Sequence, residues 1–198
     1  MMKKDSEERT SVDVGYVDET DSWKLESRFF PSKVGGRPAW LCLSELPAPG
    51  ALACSKCQEP CILLCQVYAP IESRDDCFHR TLFVFMCRNA KCYSANDNST
   101  FVVFRSQLTR KNDFYPFEPP EDSVNWAPDS RAEKWTDICA ACGNAGTSHC
   151  GRCKQVKYCT RNHQVSHWKD HHKMTCNKGR NLNDLTCVVL LQLRKITD

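Results

Sequence analysis

The chain has 198 residues, of which 41% are hydrophobic and 10% aromatic, enough to bury the core of one medium domain plus one small one, which excludes a disordered chain. Its 15 cysteines are an odd count, and residues 1–10 (MMKKDSEERT) are charged with no apolar stretch of a signal peptide, so reduced thiols are expected rather than a secreted disulfide framework. The net charge of +3 is unevenly placed: residues 131–180 carry ten Lys/Arg against three Asp/Glu.

Residues 1–24 are polar and acidic, with one alternating patch at 12–17 (VDVGYV) that reads as a possible edge strand. From Phe30 the chain runs FPSKVGGRPAWL, where Pro31, Gly35-Gly36 and Pro38 punctuate a loop that needs positive-φ turns. Residues 62–68 (ILLCQVY), 81–87 (TLFVFMC) and 101–108 (FVVFRSQL) predict three strands rich in branched and aromatic side chains, giving a mainly β domain over residues 25–118. These strands are apolar on both faces, so a cover is expected. Residues 115–127 (YPFEPPEDSVNWA) hold three prolines and several acids, which marks a linker, with the boundary placed at 119–136. A small domain follows over 137–177. The tail, 178–198, begins polar and reaches a short apolar run at 187–191 (CVVLL), far short of the ~20 residues that span a bilayer. No membrane role is expected, and this tail has no evident packing partner.

The small domain is a ladder of metal-type ligands: Cys139-x2-Cys142, Cys150-x2-Cys153, Cys159-x3-His163 and His172-x3-Cys176. Eight sulfur and imidazole ligands fill two tetrahedral zinc sites and leave no coordination position for a substrate, so the ladder predicts an interaction module and not an enzyme. Residues 160–176 contain no Gly or Pro and begin at Thr160, a good N-cap, so a C-terminal helix is expected to carry the last ligands. His149, His167 and His171 are rivals. His171 lies five residues before Cys176, off its helical face, and His167 lacks a free partner pair once His163 is used. Four pairs can be grouped into two sites in three ways, and spacing does not choose among them. Zinc ligation also dilutes the local basicity, since six bound thiolates and two divalent ions bring +7 to about +5. With no aromatic row between the arginines, direct nucleic-acid binding is not expected.

Upstream, Cys54-x2-Cys57 precedes one strand and Cys87-x4-Cys92 follows the next. Antiparallel pairing returns both pairs to one end of the sheet, as in a zinc ribbon, and predicts a third zinc. Cys42, Cys61 and Cys65 read as small core hydrophobes, and Cys77 and Cys187 have no partner by spacing.

Cys139, Cys142, Cys150, Cys153, Tyr158-Cys159, His163-Gln164, Trp168, His172-Lys173 and Cys176 together resemble a MYND-type zinc finger. The resemblance implies interleaved sites, Cys139/Cys142/Cys159/His163 and Cys150/Cys153/His172/Cys176, with His163 standing where most such fingers carry Cys. It also implies a peptide groove at Gln164 and Trp168; the alternative is that Trp168 packs over the zinc-bound helix. The stretches FPSKVGGRPAWL, ALACSKCQEP, LLCQVYAP, FHRTLFVFMCRNAKC and FRSQLTRKNDFY, with the finger behind them, resemble the programmed cell death protein 2 family from about residue 14 to 176.

That second resemblance implies a β domain split by an inserted finger, and a dedicated chaperone that holds one small-subunit ribosomal protein and delivers it to nuclear assembly, working in cytoplasm and nucleus. The client surface is then the β domain with its Gly35-Gly36 loop and exposed apolar strands. The alternative is an adaptor in transcriptional regulation or apoptosis, whose finger recruits co-repressor peptides. Family members continue past the finger into a second β half that this chain lacks, so an incomplete split domain is expected, with unpaired strand edges, weakened client binding and poor solubility.

Overall fold

The computed structural model describes residues 13–125, 132–176 and 189–195. The main sheet is built from β1 (Asp13–Glu19), β2 (Lys33–Val34), β3 (Ile62–Tyr68), β4 (His79–Met86) and β5 (Phe101–Leu108). A last strand, β8 (Val189–Lys195), completes it, while β6 (Ser148–His149) and β7 (Lys157–Tyr158) form a separate ribbon. The six strands lie antiparallel in the order β1-β8-β2-β3-β4-β5.

Strict alternation along β4 decides which face is the core. His79, Thr81, Phe83 and Phe85 are buried, while Arg80, Leu82, Val84 and Met86 on the other face are half-buried. On β3, Leu63 faces Phe85 and Gln66 faces Phe83, three residues apart, because the register shifts between Leu63 and Cys65. The extra residue of this bulge keeps both side chains on the buried face. Trp40 lies across that face with ring centroids 4.9 Å from Phe83, 5.9 Å from Phe85 and 6.2 Å from Phe104. Leu41, Leu43, Leu52 and Leu63 pack around it. Burying each such side chain contributes about 1.5–3 kcal/mol.

The segment that carries Trp40 is pinned by polar groups inside the core. Gln66, 1% exposed, accepts from the Ala39 amide at 2.9 Å and donates to the carbonyl of Pro31 at 2.9 Å. Tyr115 donates its hydroxyl to the carbonyls of Trp40 and Leu41 at 3.1 and 2.9 Å. Tyr115 thus belongs to the β-domain core, although its sequence neighbours read as linker. Ala132, inside the expected linker, also packs into this core.

Lys33 on β2 is 3% exposed, and its ammonium donates to the carbonyl of Arg37. Burial pulls its pKa down to about 8. Between pH 8 and 10.5 the unfolded chain therefore binds more protons at Lys33 than the folded one, so stability rises with pH across that window, by at most about 3 kcal/mol. Lys33→Met is expected to remove that rise. The check is the difference between the stability–pH curves of the two proteins, in which the shared cysteine titrations cancel.

The two ends of the sheet differ from expectation. The strand foreseen near residues 12–17 is β1 at one end of the sheet, but it pairs with the tail, from Asp13 opposite Lys195 to Glu19 opposite Val189. The tail does have a packing partner, correcting the expectation: β8 fills the slot between β1 and β2 and joins β2 through Lys33 opposite Leu190 and Val34 opposite Val189. Strand order across a separation of more than 150 residues leaves no local trace in sequence, which is why the tail looked unpartnered. The expected cover lies on one face, where Trp40, Leu41, Leu43 and Leu52 pack; on the other face the side chains of β3 and β4 are half-buried and those of β5 are exposed. On β5, Phe101 is 38% and Val103 67% exposed. Cys187 lies outside the described residues.

Candidate metal centres

Three Cys-x2-Cys turns share one backbone design. The amide of Gln58 donates to the carbonyl of Cys54 at 2.9 Å, that of Gly143 to Cys139 at 2.8 Å, and that of Lys154 to Cys150 at 2.9 Å. In each turn the residue after the second cysteine is left-handed, with φ of 60° at Gln58, 77° at Gly143 and 55° at Lys154. A left-handed residue with a β-carbon is disfavoured by roughly 1–2 kcal/mol, so Gln58 and Lys154 hold this shape only because their surroundings demand it. Bringing two sulfurs to one metal supplies that demand.

In the β domain, Cys54 and Cys57 sit on the first such turn, Cys87 directly follows β4, and Cys92 closes a short 3-10 turn over Ala90–Cys92. Their four sulfurs lie within 4.8 Å of one another, with Cys57 Sγ 3.6 Å from Cys87 Sγ. A zinc–sulfur bond of about 2.3 Å makes the edge of a tetrahedron about 3.8 Å, so the set fits zinc. Cys54, Cys87 and Cys92 are buried and belong to the main core. Lys56, between the first two cysteines, ties the halves together: its ammonium reaches the Cys92 carbonyl at 2.7 Å and the Asp97 carboxylate at 2.6 Å.

The backbone amide of Cys57 holds the Cys54 thiol down to about 7, whereas desolvation and the neighbouring sulfurs push Cys92 up to about 12. Four thiolates here need a divalent cation to coexist. Cys61 stays outside the four; it is fully buried, and burial first, then the neighbouring sulfurs, push its thiol up to about 11. Buried Cys77 and half-buried Cys42 and Cys65 also stand apart from the ligand sets.

The finger holds two more sets, and they interleave. Cys139, Cys142, Cys159 and His163 converge on one point, and Cys150, Cys153, His172 and Cys176 on another, each within 4.8 Å. In the first, Cys142 Sγ lies 3.6 Å from Cys159 Sγ, and His163 presents Nδ1 at 3.7 Å from Cys139 Sγ and 3.2 Å from Cys159 Sγ. In the second, His172 presents Nε2 at 3.4 Å from Cys153 Sγ. The Cys139 and Cys159 sulfurs raise His163 to about 10, marking a position where a cation is wanted and where zinc would take the proton's place.

The helical segment explains the interleaving. Thr160 caps it by accepting from the His163 amide at 3.3 Å, α1 runs Arg161–His167, a π-helical turn spans Trp168–His172, and α2 covers Lys173–Thr175. His163 and His172 are nine residues apart, about half a turn out of phase on an α-helix, so they serve different metals. The π turn was not foreseen; such insertions recur at functional sites. His167 is a neighbour of the second site and not a ligand: its Nδ1 meets the Tyr158 hydroxyl at 2.9 Å, and its ring stacks on His172 at 5.6 Å. His149 is exposed on β6. Trp168 packs half-buried against the finger core with its ring 5.7 Å from His172, and Gln164 lies one turn before it, also half-buried. Both readings of Trp168 are therefore compatible with its position.

A mainly β domain with a four-cysteine centre, followed by a two-centre MYND finger, defines a zinc-binding protein of the interaction-module class. The family model "Programmed cell death protein 2, N-terminal domain" matches residues 11–122, and the "MYND finger" model matches 139–176. The chain belongs to the programmed cell death protein 2 family. It is 44% identical over 180 residues to Programmed cell death protein 2 of Rattus norvegicus (88% of this chain, 50% of that protein) and 42% identical over 184 residues to that of Bos taurus (91% and 52%). Programmed cell death protein 2-like of Mus musculus is 32% identical over 114 residues (58% and 29%). The chain spans about half the length of these Programmed cell death protein 2 relatives. No solved structure matches it.

Proposed function

We propose that this chain is a non-catalytic holder of another polypeptide: a chaperone or adaptor for a small-subunit ribosomal protein, acting in cytoplasm and nucleus. The observation that carries the reading is the outer face of β3, β4 and β5. By register its rows are Ile62, Met86 and Phe101, then Cys65, Val84 and Val103, then Val67, Leu82 and Arg105, a face with no acidic residue. Val84 at its centre is half-buried, and Val103, in the same row on the edge strand β5, is two-thirds exposed. An apolar face that is half-buried on β3 and β4 and open along β5, the last strand of the sheet among the described residues, suits an extended or amphipathic client segment. The Cys/His sets support a structural role for zinc, because each supplies four protein ligands and leaves no position for a substrate. No helix of the described residues is long and apolar enough to cross a membrane.

The second reading, a finger that recruits co-repressor peptides, is favoured by the position of Gln164 and Trp168 on one side of α1 and by exposed Val165 beside them. Affinity capture from cells separates the two. Val103→Glu is expected to abolish capture of the small-subunit ribosomal protein while Trp168→Ala retains it. Loss through Trp168→Ala with full retention by Val103→Glu would transfer the function to the finger.

A further inference from the structure

The loop punctuated by Gly35 and Gly36 leads directly into a contact with the finger. Both glycines are left-handed, with φ of 70° and 69°, and they turn the chain so that Arg37–Trp40 lies against the Cys139–Gly143 turn more than a hundred residues later. The Trp40 indole N–H donates to the Gly143 carbonyl at 2.7 Å, and the Arg37 guanidinium donates to the carbonyl of Ala140. A β-carbon on Gly143 would stand 2.9 Å from Arg37 Cβ and 3.0 Å from Pro38 Cδ, so the two backbones touch only because that position is glycine. Ile138 packs on the β-domain core, and Asn162 of α1 donates to Glu59 at 2.6 Å.

We propose that residues 35–40 are the receptor for the first metal-binding turn of the finger, so that zinc on Cys139, Cys142, Cys159 and His163 latches the finger to the β domain. Both carbonyls engaged by the β domain belong to the turn whose shape that metal sets. Ala140 lies between the two cysteine ligands, and Gly143 follows the second. The turn is closed by the Gly143 amide on the Cys139 carbonyl at 2.8 Å and the Cys139 amide on the Asn144 carbonyl at 2.7 Å, and zinc on its two cysteines would brace that shape, and with it the two carbonyls that Arg37 and Trp40 meet. The other side of the latch is rigid, since Ala39 is fixed by Gln66 and the Trp40 ring is wedged on Phe83. Because coupling is reciprocal, the β domain must in turn raise the affinity of this site for zinc, which at an unchanged association rate slows zinc loss. The GGRPAW stretch is thereby a docking element between the two parts of the chain, and the client surface is left to the outer sheet face.

The test uses the full zinc-loaded chain. Trp40→Phe keeps an aromatic ring on Phe83 but removes the N–H together with the pyrrole half of the indole, and Arg37→Ala removes the second donor at a half-buried position outside the ring cluster. Each is expected to speed zinc transfer from the finger to a chromogenic chelator about three- to tenfold, the ratio one lost hydrogen bond supports. Solvent exchange of the Trp40 indole N–H, followed by NMR, is expected to rise at least tenfold in Cys142→Ser and to stay near wild type in Cys153→Ser, which breaks the other finger site. Unchanged zinc release in both Trp40→Phe and Arg37→Ala overturns the proposal, as does equal indole exchange in Cys142→Ser and Cys153→Ser. If Cys142→Ser also deprotects the β4 amides, the two release rates decide alone.

Discussion

Cys87→Ser is expected to lower the zinc content of the chain by one ion and to unfold the β domain. Cys87 is 1% exposed and sits in the same core cluster as Trp40, Phe83 and Phe85, so its metal is continuous with the core. A structural zinc contributes an apparent ~10–16 kcal/mol at neutral pH, while a domain of this size is stable by only ~5–15 kcal/mol. Losing most of the first term therefore exceeds the second. The vacated centre would also leave two buried thiols, Cys54 and Cys92, beside half-buried Cys57 with one ligand missing, and desolvation already pushes Cys92 well above the ordinary range. A serine hydroxyl at the fourth position is a poor zinc ligand and cannot restore the set. Native mass spectrometry reads the zinc count, and amide exchange across β3 and β4 reads the fold. A Cys87→Ser protein with wild-type zinc content, or one that has lost an ion yet keeps β4 protected, would remove the centre from the list of elements that hold this domain together. The finger cysteines provide the contrast, since Cys142→Ser should discharge a finger site and leave β4 protected.

What sequence could reveal divides along the range of the interactions. Strands β3, β4 and β5 were legible because each carries its own pattern, and β4 was misplaced by two residues at its start and by one at its end. His79 and Arg80 look polar, but His79 is buried against Phe30 and meets the Tyr68 hydroxyl at 2.8 Å. Ligand pairs were legible for the same reason, since Cys-x2-Cys is a local turn. Which pair joins which was not, because it depends on the path of α1 and the π turn between them. Residues that act between distant segments left no signal at all: β8 in its slot, Trp40 and Arg37 on the finger turn, Lys56 across two cysteine pairs. Gln66 is the sharpest case, a polar residue in an apolar strand that periodicity alone assigns to either face, and that the bulge after Leu63 sends inward.

Gln66→Leu is accordingly expected to be damaging although it makes the strand more hydrophobic. Leucine has a similar volume and a higher transfer free energy, so an argument from burial alone predicts a neutral or stabilised protein. The hydrogen bonds argue the reverse. Gln66 is 1% exposed and serves the Ala39 amide and the Pro31 carbonyl, both at 2.9 Å, with the Ala39 carbonyl at 3.4 Å. Leucine would leave the first two groups buried with no side chain to meet them, at about 1–3 kcal/mol each. Their sum, about 2–5 kcal/mol after partial relaxation, outweighs the gain from the added apolar surface, about 1 kcal/mol. For a chain of this length that corresponds to a fall of roughly 5–15 °C in Tm. Val67→Leu, a half-buried neighbour on the opposite face, changes volume without touching these bonds and should move Tm by no more than about 2 °C. Thermal melts of the two variants in excess zinc make the comparison. Because Ala39 precedes Trp40, Gln66→Leu should also speed zinc loss from the finger, which a purely local packing defect in β3 would not do. A Gln66→Leu protein as stable as wild type would mean that water reaches the 31–40 segment, and that the receptor for the finger is held by the Trp40 ring alone.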